Sequence, residues 1–180
     1  AWIHFRLEGT VQANAVVFIP RRRPWEMDRM DFKVGLKLYQ KRIKVLDSAA
    51  DLVPRYLRFI TGVVDSTDVQ LNVSREMLQQ TPAVRAINKQ ITKKLLAELE
   101  DIAEGKVEEY NAFWSEFGHI MKEGIAEDDK NKNTLVELLR YPTTTSDGGL
   151  RSFDQVEEDR KDGQDDIWYY TSVDKERIGK

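Results

Sequence analysis

Residues 71–80 (LNVSREMLQQ) have the types and spacing needed to bind a negatively charged group. Asn72 or Ser74 is suited to cap a short helix, which places Arg75 in the first turn, where the helix dipole disfavours a cation by a few tenths of a kcal/mol. Gln79 follows four residues later on the same helix face, so a guanidinium and an amide can point together at an anion such as phosphate. An arginine paired with a neighbouring surface carboxylate is the commoner arrangement, and these residues alone do not distinguish the two.

Residues 21–32 (RRRPWEMDRMDF) alternate large apolar side chains with charged ones after a proline-started turn. The apolar members of this amphipathic loop are Trp25, Met27, Met30 and Phe32. Such a loop either packs on its own domain or forms an exposed surface that binds apolar partners, and packing is the commoner outcome.

The region 21–44 contains nine basic and three acidic residues, a net charge of +6. A nucleic-acid patch is conceivable here, but basic residues on strand and turn faces are usually solvated. Because the whole chain is acidic, we expect no nucleic-acid partner.

Metal and nucleophile chemistry find little support in the sequence. His4 and His119 lie in unrelated segments without a nearby ligand partner, so both are predicted to be ordinary core or surface histidines. Residues 159–166 (DRKDGQDD) resemble a calcium loop, but Lys161 stands where an oxygen ligand is needed, and a solvated turn is predicted. The chain also has no glycine-rich phosphate loop and no nucleophile elbow, so we expect no metal and no complete nucleotide site within it.

The composition is that of an ordinary globular protein. The chain has 180 residues, 41% of them hydrophobic, with 28 Lys and Arg against 31 Asp and Glu, a net charge of −3. Its longest apolar run, 15–19, is far shorter than the ~20 residues of a membrane span, so no membrane association is expected. The absence of cysteine fits a reducing compartment. Because the sequence begins with Ala1 rather than Met, we expect a piece of a longer chain.

The elements that must position these residues begin with a sheet. Strands are predicted at 11–19, 36–39, 43–46 and 59–64, where β-branched and aromatic residues dominate. Trp2, Ile3 and Phe5 are predicted as buried strand positions, and 47–58 as helical with Asp47 or Ser48 as its cap.

Helices follow the sheet. The first is predicted to start at Thr81 and Pro82 and to end at Gly105, because apolar residues recur at helical spacing between them. A second helix is predicted to carry one apolar face and to end at Gly124, and a third to cover 133–140. The apolar face of the second helix consists of Val107, Tyr110, Trp114, Phe117 and Met121.

We therefore predict an α/β (α+β) fold with three parts. Residues 1–104 form a large α/β subdomain with a mixed sheet, 105–141 a helical connector, and 142–180 a linker at 143–149 followed by a truncated small α/β subdomain with a strand at 167–170.

Several runs of this sequence together resemble the middle domain of the ninety-kilodalton heat-shock chaperones, in particular its bacterial form. The runs are 18–20, 36–39, 52–59, 62–66, 71–79 and 138–141, in the order and spacing of that family. Positions 2, 4–5, 8–9 and 167–170 extend the likeness over nearly the whole chain. The resemblance implies a large α/β subdomain, a helical coil and a small α/β subdomain.

The resemblance also implies a role for the first segment. In the family, the arginine matched by Arg75 reaches the γ-phosphate of ATP held by an N-terminal domain, and the residues matched by Asn72 and Gln79 support that loop. The loop matched by Trp25, Met27, Met30 and Phe32 is implicated in holding client proteins.

Cofactors and partners follow by the same resemblance. We expect ATP and magnesium to be bound by a separate N-terminal ATPase domain, with no cofactor and no ATPase activity in this chain alone. A C-terminal domain would dimerise the full protein, and the location would be cytoplasmic. The rival hypothesis is a plain adaptor module, in which Arg75 is structural and the amphipathic loop is the whole function.

Overall fold

The computed structural model describes residues 1–9, 11–28, 35–69, 81–144, 146 and 149–171. Strands are numbered β1 to β7 and α-helices α1 to α5 in chain order. The strands are β1 Trp2–Leu7, β2 Ala13–Phe18, β3 Gly35–Gln40, β4 Ile43–Leu46, β5 Thr61–Ser66, β6 Tyr141–Pro142 and β7 Leu150–Arg151. The helices are α1 Pro82–Gly105, α2 Val107–Met121, α3 Glu123–Glu127, α4 Lys132–Glu137 and α5 Phe153–Glu158.

A five-stranded mixed sheet forms the first half of the fold, in the order β1-β2-β5-β3-β4. Strands β3 and β5 run parallel, and the other neighbours are antiparallel. The strands predicted at 11–19, 36–39 and 43–46 are confirmed. The last predicted strand starts later than expected, at Thr61, because the Ile60 N–H donates to Leu57 O in a turn.

One face of the sheet is buried and the other is largely exposed, as alternation along each strand requires. Ala13, Ala15 and Val17 of β2 are buried, while Phe18 is half-exposed on the other face. The prediction that Trp2 is buried is wrong, since its side chain is 63% exposed opposite Phe18. Successive residues of a strand point to opposite faces, so Trp2 cannot share the core face with Phe5, which is buried.

The predicted helix over 47–58 is replaced by two 3₁₀ turns, Ala50–Leu52 and Arg55–Leu57. Pro54 separates them because it has no N–H to continue a helical ladder, and it caps the second turn. The first turn is capped by Ala49 rather than by Asp47 or Ser48.

The first long helix forms as predicted. Thr81 Oγ1 accepts a hydrogen bond from Val84 N at 3.3 Å, Pro82 occupies the first turn, and the helix ends at Gly105. Its buried stripe includes Val84, Ile87 and Ile91 and packs beneath the sheet.

The second helix ends earlier than predicted. It stops at Met121, and Gly124 lies inside the short helix α3 instead of terminating α2. A Cβ at Gly124 would lie 2.7 Å from Tyr56 Cγ and 2.9 Å from Leu135 Cδ1, so this glycine allows close packing of α3 on its neighbours. Val107, predicted on the apolar face of α2, is 45% exposed. The third predicted helix, 133–140, corresponds to α4 but ends at Glu137.

A single buried cluster connects the sheet, α1, α2 and α4. Phe59 stacks on Phe117 with ring centroids 4.7 Å apart and meets the edge of Phe113 at 5.5 Å. Tyr110 on α2 donates to Leu138 O at 2.7 Å. The buried core therefore includes residues on both sides of residue 104, where the first predicted subdomain ends. The division into three parts remains a prediction.

After the core, the chain forms a small hairpin. Tyr141 pairs with Arg151 and Pro142 with Leu150, so the predicted linker 143–149 lies between two paired strands. Helix α5 begins with a capping box formed by Ser152 and Gln155.

The strand predicted at 167–170 is wrong, because these residues have no regular structure and their side chains are 36–88% exposed. A strand needs a neighbouring strand for its backbone hydrogen bonds, and none pairs with 167–170 in the described part of the chain. No helix among the described residues has the length and apolar character to cross a membrane.

Candidate functional site

The three residues predicted to bind an anion, Asn72, Arg75 and Gln79, lie outside the described residues. What the structure describes is how the chain enters and leaves their segment. The segment follows the end of β5, which lies at the centre of the sheet, and leads into the capped start of α1.

The entry is held by hydrogen bonds that converge on Ser66 and Asp68. The Ser66 hydroxyl is buried and donates to Gln12 O at 2.7 Å, and it accepts from Asp68 N at 3.3 Å. Asp68 Oδ2 accepts from Gln12 N at 2.6 Å, and Gln40 Nε2 donates to Val69 O at 3.4 Å. Gln12 directly precedes β2 and Gln40 ends β3, and these two strands flank β5 in the sheet. Both neighbours of β5 therefore hold the backbone at residues 66–69.

The exit is held by packing and by the cap. Thr81 Oγ1 caps α1, and Val84 and Ile87 in its first turns are fully buried. The segment that carries the three predicted residues thus begins and ends at residues held by the fold.

Two basic residues lie beside the entry. Lys41 and Arg42 form the β3–β4 turn with φ of 51° and 67°, and Arg42 N donates to Asp65 Oδ1 at 3.5 Å. Positive φ at two bulky residues is uncommon. A cavity of about 250 Å³ adjoins this turn and reaches Ser66 and Thr67. Sequence reasoning missed this pair, although the three residues 40–42 between the predicted strands indicate a short hairpin turn.

The amphipathic loop is partly described. Its 3₁₀ turn, Trp25–Asp28, is fixed by Arg23 N, which donates to Glu116 Oε2 on α2 at 3.0 Å. Met27 packs against the core, whereas Trp25 is 70% exposed. The other two predicted members, Met30 and Phe32, lie outside the described residues. Both alternatives left open by the sequence thus occur together, with packing at Met27 and exposure at Trp25.

The remaining candidate residues, His4, His119 and 159–166, form no metal site among the described residues. His4 and His119 are both exposed, as the surface alternative predicts. Residues 159–166 form an exposed, irregular turn, as predicted. No group of three His, Cys, Asp or Glu residues in the described ranges could hold a metal ion.

Two short contacts to carboxylates stabilise the helical half. Arg58 donates two hydrogen bonds to Glu123, at 2.6 and 2.8 Å, and this guanidinium lowers the pKa of the Glu123 carboxyl. The Tyr56 hydroxyl donates to Asp128 Oδ2 at 2.7 Å, and burial together with this carboxylate raises the pKa of Tyr56. Tyr56 lies in the 3₁₀ turn Arg55–Leu57, and Arg58 directly follows that turn. The two contacts therefore connect the turn to α3 and to Asp128, which directly follows α3.

Comparison with known proteins places the chain in a family. The family model described as Hsp90 protein matches residues 1–180. Chaperone protein HtpG of Polaromonas naphthalenivorans is 44% identical over 172 residues, and that of Bordetella pertussis is 44% identical over 175. Each match covers 96% of this chain and 27% of the relative, so the chain spans about a quarter of the length of these proteins.

The fold also matches a solved structure. The middle domain of a Plasmodium falciparum heat shock protein superposes with a TM-score of 0.78 at 28% identity, covering 91% of this chain and 63% of that one. The chain therefore belongs to the Hsp90 protein family and has the fold of an Hsp90 middle domain.

Proposed function

We propose that this chain is the middle segment of an ATP-dependent chaperone and that it supplies Arg75 to the γ-phosphate of ATP bound by another domain of the longer protein. The observation that carries this proposal is the match of the whole chain to the Hsp90 family, with relatives named as chaperones. The run 71–79 is the part of the sequence on which the phosphate role depends.

The chemistry follows from charge. Phosphoryl transfer develops negative charge on the γ-phosphate oxygens, and a positioned guanidinium stabilises that charge in the transition state. An arginine delivered by a second domain does so only when the two domains approach each other. Asn72 and Gln79 would hold the Arg75 loop in the orientation that this approach requires.

The described residues on both sides of the segment support this role. Ser66 and Asp68 before it are hydrogen-bonded to the sheet, and Thr81 after it caps α1. The segment therefore begins and ends at residues held by the core.

ATP and magnesium belong to the other domain in this proposal. The sequence has no glycine-rich phosphate loop, and the described residues offer no carboxylate cluster for a metal. The chain alone would therefore not hydrolyse ATP. The full protein would be a cytoplasmic homodimer, joined through a C-terminal domain.

Client proteins would contact the amphipathic loop. Trp25 is exposed on a turn that Met27 and the Arg23–Glu116 hydrogen bond fix to the core, and a rigid exposed aromatic is an effective anchor for apolar partners. Met30 and Phe32 would extend the same surface.

The test of the phosphate role is ATP turnover by the full protein after Arg75→Ala. A loss of turnover with unchanged nucleotide affinity supports the proposal. The adaptor hypothesis predicts no change, because Arg75 is then merely structural.

A further inference from the structure

A long groove runs along the side of α1 that does not face the sheet. It has a volume of about 860 Å³ and is bounded by the 3₁₀ turn Ala50–Leu52 and by the segment joining α3 to α4. Its lining on α1 extends from Arg85 to Glu100, which at 1.5 Å per residue is about 22 Å. An extended peptide of about six or seven residues spans that length.

The walls of the groove are basic toward the start of α1. Lys89 and Lys93 are one helical turn apart on the same face, and Lys130 lies on the opposite wall. All three side chains are exposed. Among the described residues, none of the three lysines has a carboxylate within ion-pair distance.

Asp128 is the acidic residue on the wall that carries Lys130. Asp128 Oδ2 accepts from the Tyr56 hydroxyl and from Asn131 Nδ2, each at 2.7 Å. Glu100 lies at the other end of the groove, where burial and the neighbouring Glu137 raise its pKa. The lining therefore carries four basic residues against three acidic ones, and Glu100 lies at the end of the groove away from Arg85. The basic residues are Arg85, Lys89, Lys93 and Lys130, and the acidic ones are Asp51, Asp128 and Glu100.

The floor of the groove is apolar. Val53 and Leu96 are 6% and 3% exposed, and the Thr92 hydroxyl is satisfied internally by Asn88 O at 2.9 Å. A ligand that fills the groove thus meets hydrocarbon at its base and ammonium groups at its rim.

We propose that this groove binds an extended acidic segment of a partner protein, with carboxylates on Lys89, Lys93 and Lys130 and an apolar side chain on Val53 and Leu96. The apolar floor and the length favour a peptide over a small anion. A peptide can place its few carboxylates at the lysines and away from Asp51 and Glu100, whereas a nucleic acid carries a negative charge on every phosphate, which disfavours nucleic acid. This proposal does not depend on the role of Arg75.

The test uses the 180-residue chain and a fluorescein-labelled peptide of about seven residues that contains only Glu, Asp and Leu. Fluorescence anisotropy measures its Kd at low and at physiological salt. We expect saturable binding that weakens as salt rises. The same peptide with Gln and Asn in place of its acids should bind at least about tenfold more weakly.

Charge reversal locates the site. The double variant K89E/K93E should raise the Kd about fivefold or more, since two ion pairs become repulsive contacts. Lys94→Glu is the matched control, because Lys94 is exposed on the same helix but does not line the groove, and it should change the Kd less than twofold. Circular dichroism verifies folding of both variants.

Three results would overturn the proposal. The first is the absence of saturable binding by the acidic peptide. The second is an equal loss of affinity in Lys94→Glu. The third is tighter binding of a labelled oligothymidine of equal charge with the same dependence on Lys89 and Lys93, which would assign the groove to nucleic acid.

Discussion

Among the described apolar residues of the amphipathic loop, Trp25 is exposed and Met27 packs against the core. Met27 occupies the core side of the turn, so the indole points to solvent on a fixed support. Trp25→Ser should weaken binding of an unfolded protein, such as reduced carboxymethylated α-lactalbumin, by the full protein about fivefold or more. Fluorescence anisotropy of the labelled client measures the effect.

Trp168→Ser is the matched control, because Trp168 is 85% exposed but lies far along the chain from the loop. It should leave client affinity nearly unchanged. Equal weakening by both substitutions would mean that general surface hydrophobicity, rather than the loop, holds the client.

Glu123 illustrates a residue whose role depends on pH. Arg58 holds its pKa below the usual value, so the stabilisation from this pair is present above the ordinary carboxyl pKa of about 4.3 and is lost as the pH falls through the lower folded-state pKa. Glu123→Gln should lower the free energy of unfolding by about 1 kcal/mol at pH 7, allowing for the partial exposure of the pair.

Urea denaturation at pH 7 and pH 3 measures this contribution. The difference between the original protein and Glu123→Gln should shrink at pH 3, which lies below the ordinary carboxyl pKa, because part of the ion-pair stabilisation is lost there. Glu109→Gln, which removes a 3.8 Å surface pair with Lys106, should have little effect at either pH. A difference that is as large at pH 3 as at pH 7 would contradict the ion-pair explanation.

At the scale of elements, Gly124 shows where packing overrides a local signal. A glycine after an apolar helical face usually marks a helix end, but here it lies within α3 against Tyr56 and Leu135. Gly124→Ala should destabilise the fold by roughly 1–3 kcal/mol, because its Cβ overlaps buried atoms. Gly105→Ala has open space around its Cβ and should be neutral or stabilising by up to about 1 kcal/mol.

Thermal unfolding followed by circular dichroism compares the two alanine variants. Stability equal to that of the original protein in Gly124→Ala would mean that α3 can move away from Tyr56 without cost, contrary to the packing described above.

The elements that the sequence predicts correctly are those whose signals lie within one continuous segment of the chain. Helix α1 has its cap, its proline and its apolar stripe within one continuous segment, and β2 and β3 alternate buried and exposed residues. The two 3₁₀ turns between residues 50 and 57 depend on Pro54, and the irregular structure at 167–170 depends on the absence of a pairing strand among the described residues. The apolar content of a segment predicts neither. Likewise, the Arg58–Glu123 pair and the groove beside α1 join residues distant in sequence, so spacing could not reveal them.

At the scale of the whole molecule, the proposed phosphate role depends on the family match and on the run 71–79. The family membership and the runs of matching sequence were recognisable from residues alone, because runs such as 71–79 are specific in order and spacing. The anchoring at Ser66, Asp68 and Thr81 emerged only from the fold, since it joins β2, β3, β5 and α1.

The most direct test of the central claim is steady-state ATP turnover by the full protein carrying Arg75→Ala, beside a nucleotide-binding titration and circular dichroism. Donated arginines in other nucleotide hydrolases contribute ~10³–10⁵ in rate, and we predict a fall in kcat of at least about tenfold with nearly unchanged nucleotide affinity. Arg75→Lys should restore little, because an ammonium lacks the planar fork of donors, and Arg160→Ala, on the exposed turn, should behave as the original. Near-normal turnover by a folded Arg75→Ala protein would contradict the account and leave Arg75 as a structural or surface residue.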